Sequence, residues 1–91
     1  MFIVVSYDIV DDKTRNKIAK TLLDYGTRVQ YSVFECVLTK EQLHRLEQEL
    51  TELYDPREDT IRIYTLCENC LSKVHVLGLG KLTEDEDVYV V

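Results

Sequence analysis

Asp8 closes a nearly continuous apolar run, "MFIVVSY", and Asp11 and Asp12 follow three and four residues later. Such a run predicts a central strand over Phe2–Tyr7, covered on both faces. A carboxylate at the C-terminal end of a rigid strand is well placed for a hard cation. One carboxylate is too few to hold a metal, so this reading needs a second copy of Asp8 supplied by a two-fold axis. Two such carboxylates repel one another, and a divalent cation relieves the repulsion. Asp8 equally suits a turn residue that simply ends a strand. Asp11 and Asp12 fit a helix cap better than a ligand set.

A second group is cationic. Lys13, Arg15 and Lys17 alternate at the start of the helix expected after Asp11 or Asp12, and Arg28 opens a later strand. A run of this kind is commonly a solvated helix face. Next to a helix N-terminus, the same cations also suit phosphates flanking a scissile bond or a bound duplex. The net charge of −6 argues mildly against a nucleic-acid binder, but it is unevenly spread. Residues 1–40 carry six Lys/Arg against five Asp/Glu, whereas residues 41–91 carry five against twelve. A locally basic surface is therefore compatible with the acidic whole.

The third group is Cys67 and Cys70, in "CENC". A zinc site needs about four ligands, and this is half of one, with His75, Cys36 or a partner chain as further donors. A redox pair would need to open a helix after a strand, which the element order does not provide. Small buried thiols in a turn are the expectation. His44 is expected to be exposed. No nucleophile elbow, phosphate loop, dinucleotide fingerprint or zincin motif occurs.

Elements must position these groups. Ile18, Leu22 and Tyr25 give helical spacing, with Gly26 suited to close the helix. Arg28–Leu38 is rich in β-branched and aromatic residues, but its alternation slips. A bulge or tight hairpin near Ser32–Val33 accounts for that slip. Thr39 with Gln42 is a capping-box pattern, and Leu43, Leu46, Leu50 and Leu53 mark a second helix, ended at Pro56. Thr60–Leu66 alternates as a strand. Lys73–Leu79 reads as another short strand and "VYVV" as a terminal one. The order β-α-β-β-α-β predicts an α+β, ferredoxin-like sandwich with extra short C-terminal strands. Both helices would cover one face of an antiparallel sheet. The other face has nothing in the chain to cover it, which fits a homodimer.

Ninety-one residues allow one domain, 1–91, of marginal core size. The longest apolar run is far short of the roughly 20 residues of a membrane span. "MFIVV" lacks the features of a signal peptide. Three cysteines without disulfide spacing favour a reducing cytoplasm.

"VVSYDIVDDKTRNKIAKTLLDYGTRVQYSVFEC" (Val4–Cys36), with "IRIYTLCENC" and the "VLGLG…DEDVYVV" ending, resembles the small CRISPR-associated adaptation protein family. That family is the dimeric ferredoxin-like subunit that works with the CRISPR integrase, and the resemblance covers essentially the whole chain. It implies antiviral spacer acquisition, in which foreign DNA is captured and inserted. It also implies likeness to metal-dependent endonucleases acting on single-stranded RNA or double-stranded DNA. Asp8 would be catalytic and the metal ligand, its two copies sharing one Mg²⁺ that activates water across the dimer axis. Tyr7 matches a further position associated with activity. Arg15, Arg28 and Phe34 match positions associated with activity or substrate contact. Lys17 stands where some relatives have Arg, keeping charge without bidentate geometry. Residues 82–91 would be an extension pairing with the partner subunit. The alternatives are a non-catalytic, DNA-bridging dimer in the integrase complex and a toxin-like ribonuclease of the same fold. Nothing suggests the pocket of a small-molecule regulatory domain.

Overall fold

A computed structural model describes residues 1–84. The elements are β1 (Phe2–Asp8), α1 (Asp12–Leu23), β2 (Gly26–Gln30), β3 (Val33–Val37), α2 (Lys40–Thr51), β4 (Thr60–Leu66) and a single turn, α3 (Glu68–Leu71). The four strands form one sheet in the order β2-β3-β1-β4, and every pairing is antiparallel. This is the expected α+β, ferredoxin-like arrangement, with β1 central.

Strand alternation decides which side chains meet the helices. Ile3, Val5 and Tyr7 of β1 share a face with Phe34 and Cys36 of β3, and all five are buried. Ile18, Ala19 and Leu22 of α1 and Leu46 and Leu50 of α2 complete that core. Each fully buried Leu, Ile or Phe contributes roughly 1.5–3 kcal/mol. The caps form as their sequences require. The Asp11 carboxylate accepts from the Thr14 amide at 2.9 Å. Thr39 and Gln42 close a reciprocal capping box.

Several expectations are corrected. Gly26 does not close α1, which ends at Leu23 and is capped by Asp24 in ordinary helical backbone. Gly26 opens β2, where an added Cβ would lie 2.3 Å from the Glu35 carbonyl oxygen and 2.5 Å from Cys36 Sγ. Its necessity comes from the neighbouring strand. The tight hairpin expected near Ser32–Val33 is present, turning at Tyr31–Ser32, and a bulge accompanies it where register shifts between Arg28 and Gln30. Helix α2 ends at Thr51 with Glu52 as its cap, before Pro56, because the Leu53 and Tyr54 amides turn back to the Leu50 carbonyl.

Lys73–Leu79 is not a strand. The turn of α3 precedes it and a turn at Gly78 (φ 89°) falls within it, and among the described residues its alternating valines pair with no strand. Cys67 of "CENC" caps α3 and Cys70 lies within it, and both thiols are exposed rather than buried. The sheet's second face is not wholly bare. The Thr83 amide and hydroxyl donate to Glu35 Oε1 at 3.1 and 2.8 Å, and Glu35 alternates with the core-facing Phe34 and Cys36. The "VYVV" strand, and most of the 82–91 extension, lie outside the described residues.

Candidate active site and basic platform

Asp8 is the last residue of β1, opposite Thr60 of β4, and is exposed. Tyr7 points into the core, so alternation directs Asp8 to the opposite face. Its carboxylate takes no hydrogen bond and no ion pair among the described residues. Rigidity comes from its neighbours. Ile9 is buried. The Val10 amide donates to Asp59 Oδ1, and the Asp55 amide to Asp59 Oδ2, both at 2.9 Å. Asp59 is only 8% exposed, so its carboxylate welds the loop after β1 to the turn before β4.

Arg15 braces the same loop. Its Nε and Nη2 donate to the Ile9 carbonyl at 3.2 and 3.1 Å, and Nη2 also reaches the Val10 carbonyl at 3.2 Å. Nη1 pairs with Asp12 Oδ1 at 2.7 Å. The bond to Asp12, supported more weakly by Tyr31, raises the Arg15 pKa above its ordinary value. Lys13 and Lys17 are exposed one helical turn apart and share a face, whereas Arg15 is turned toward the loop. The alternating cations thus divide into one structural and two solvent-facing groups.

Tyr7, Arg28 and Phe34 do meet. Arg28 Nη2 donates to the Tyr7 hydroxyl at 3.4 Å, and that hydroxyl donates to the Tyr31 carbonyl at 3.5 Å. The Arg28 guanidinium lies 5.3 Å from the Phe34 ring centre and 5.9 Å from that of Tyr31. Tyr7 and Phe34 stack with centres 6.3 Å apart. Phe34 is fully buried, so it forms the floor beneath Arg28. Tyr31 is 74% exposed and stands beside both arginines. An exposed aromatic ring next to guanidinium groups is a surface on which bases stack and phosphates are neutralised.

Sequence reasoning missed two residues here. Tyr31 carried a signal, an aromatic at a hairpin turn, but its neighbours come from other elements. Asp59 carried none beyond its place before a strand. The structure brings Tyr7, Arg28, Phe34, Tyr31 and Arg15 together. It leaves Asp8 on the other face and Lys17 on the outside of α1. Among the described residues, no group of three or more His, Cys, Asp or Glu is placed to hold a metal ion.

Known proteins share this fold. Residues 1–74 match the model of the CRISPR associated protein Cas2 family. The chain is 44% identical over 91 residues to a CRISPR-associated endoribonuclease Cas2 of Chloroflexus aurantiacus, covering 100% of this chain and 98% of that protein. The crystal structure of a hypothetical protein from Thermus thermophilus superposes with a TM-score of 0.79 at 43% identity, covering 91% of this chain and 96% of that one. A chain of a partial Cas6-RT-Cas1–Cas2 complex gives a TM-score of 0.65 at 31% identity, covering 84% and 89%. With the element order and sheet topology already in hand, these matches over nearly the full length place the chain in the CRISPR-associated Cas2 family.

Proposed function

We propose that this protein works in CRISPR adaptation as a homodimeric nuclease subunit, hydrolysing phosphodiesters of RNA or double-stranded DNA, in the cytoplasm and beside the Cas1 integrase. Two likenesses support the reading: a relative named as an endoribonuclease, and a neighbour solved within a Cas1–Cas2 assembly. The observation that carries it is Asp8, an exposed carboxylate without a partner among the described residues, at the end of a central strand and leading into a loop tied down by Asp59 and Arg15.

Asp8 of one chain does not by itself make a Mg²⁺ site, because the ion demands several oxygen ligands. This role therefore requires a two-fold partner whose Asp8 comes to the same point, with residues 82–91 pairing across the interface. Mg²⁺, when bound, would supply an activated water and offset charge on the phosphoryl oxygens. The chain's own residues do the rest. Arg28, set on Phe34 and bonded to Tyr7, and Lys17, at the solvent side of α1, attract and orient the phosphate backbone. Tyr7 is a positioning residue in this scheme, and Phe34 acts through Arg28.

A second reading is a DNA-bridging dimer without catalysis. It is favoured by the separation of Asp8 from the Arg28–Tyr31 platform, which lies on the other face. Asp8→Asn distinguishes the two when assayed in parallel for Mg²⁺-dependent, chelator-sensitive cleavage and for spacer acquisition. Loss of cleavage with an intact dimer supports the nuclease. Cleavage that persists in the variant, or its absence from rigorously purified wild type, refutes it. Acquisition that survives the substitution assigns the cellular role to bridging.

A further inference from the structure

The thiols of "CENC" have no part in the function above. Cys67 follows β4 as the N-cap of α3, in extended backbone (φ −73°, ψ 166°), and Cys70 lies one turn on, so the pair does open a helix after a strand, contrary to the expectation from element order. The Leu71 amide donates to the Cys67 carbonyl at 2.8 Å, so the two residues flank one closed helical turn. Helix geometry puts Cα atoms three residues apart at about 5 Å. That lies within the span a disulfide bridges. Both thiols are exposed, whereas the third cysteine, Cys36, is fully buried.

We propose that Cys67 and Cys70 form a thiol–disulfide exchange centre, with Cys67 the attacking sulfur and Cys70 the resolving one. The oxidant is a small disulfide. The Cys67 thiolate attacks one of its sulfurs, forms a mixed disulfide and expels a thiolate. Cys70 then gives its proton to solvent and attacks the Cys67 sulfur, expelling the second thiolate. The protein loses two electrons and two protons, and the small disulfide becomes two thiols.

The order of attack is set by the surroundings. The Cys70 amide, and next its thiol, hold the Cys67 thiol below its ordinary pKa, although Cys67 makes no full capping hydrogen bond. Cys67 in turn pushes the Cys70 thiol up. Burial raises Cys36 to about 11, so it stays protonated and unreactive. The centre is independent of Asp8. Register pairs Phe2 with Leu66 and Asp8 with Thr60, so the cysteines sit at the far end of the sheet, about 20 Å away along the strand. Closure cross-links the turn from which residues 72–84 leave the sheet.

Full-length reduced protein treated with oxidised glutathione, then analysed by intact and peptide mass spectrometry, tests the proposal. Wild type is expected to lose two hydrogens and to show a Cys67–Cys70 link with Cys36 free. Cys70→Ser is expected to accumulate one glutathione at Cys67. Cys67→Ser should react at Cys70 more slowly, because Cys70 there is an ordinary thiol, whereas Cys67 in the other variant keeps the Cys70 amide that favours its thiolate. Wild type that stops at the mixed disulfide, equal rates in the two variants, or modification centred on Cys36 overturns it. Circular dichroism of both variants checks that each is folded. None of these readouts depends on nuclease activity.

Discussion

The backbone amide of Val10 donates to Asp59 Oδ1 across 2.9 Å, so the loop after Asp8 hangs from a carboxylate 49 residues further along the chain. The other oxygen of that carboxylate holds Asp55. Asp59→Ala leaves both amides short of an acceptor in a mostly buried site, and should cost about 2–4 kcal/mol. Asp59→Asn keeps one carbonyl acceptor and should cost about half as much. Urea unfolding of both variants measures the difference, and equal stability of wild type and Asp59→Ala would show that the brace carries no energy.

Asp8 offers the opposite behaviour. Its side chain has no partner among the described residues, so Asp8→Asn should change unfolding free energy by no more than about 0.5 kcal/mol. Cleavage should fall by more than about 100-fold, beyond the loss usual for outer-shell partners of a metal. Thermal melts and cleavage assays on one preparation separate the two effects.

On the basic platform, Arg28 and Tyr31 should differ in how salt affects their loss. Removing Arg28 as Arg28→Ala should lower the slope of log K against log salt by about 0.7–0.9 for one phosphate contact. Tyr31→Ala should weaken single-stranded binding by about 1–3 kcal/mol through lost stacking, with the slope unchanged. Fluorescence anisotropy over a salt series reads both quantities.

The start of α1 should be sensitive to acid. The Thr14 amide, and next its hydroxyl, hold Asp11 below the ordinary carboxylate pKa of 3.8. A group depressed on folding stabilises above its unfolded pKa and loses that contribution as pH falls through its folded pKa. Asp11→Ala should therefore melt below wild type at pH 7, and the gap should close below about pH 4. Asp11→Ser, which caps without charge, should restore much of the melting temperature and flatten this pH dependence.

What the sequence revealed was mostly local. Asp11 and the Thr39–Gln42 box are legible because each cap is satisfied within four residues. The leucines of α2 are legible because burial repeats with the helix period. The misread residues answer to distant neighbours. Gly26 sits at a helix end in sequence, yet what excludes a side chain there is the carbonyl of Glu35 on the adjacent strand. Lys73–Leu79 alternates like a strand but finds no strand to pair with. At the site, Asp8 and Arg28 stood out by type and position. The occupation of Arg15 and the brace at Asp59 depend on backbone groups whose placement no local pattern reveals.

Arg15 complicates mutagenesis of the site. Every nitrogen of its guanidinium is already engaged, two of them by loop carbonyls and the third by Asp12. Arg15→Ala therefore removes a clasp as well as a charge, and an inactive variant reports loop collapse as readily as lost substrate contact. Lys cannot reproduce the fork, so the conservative exchange carries the same ambiguity. Lys17 lies outside that clasp, and its substitution tests phosphate attraction without disturbing the geometry of the Asp8 loop.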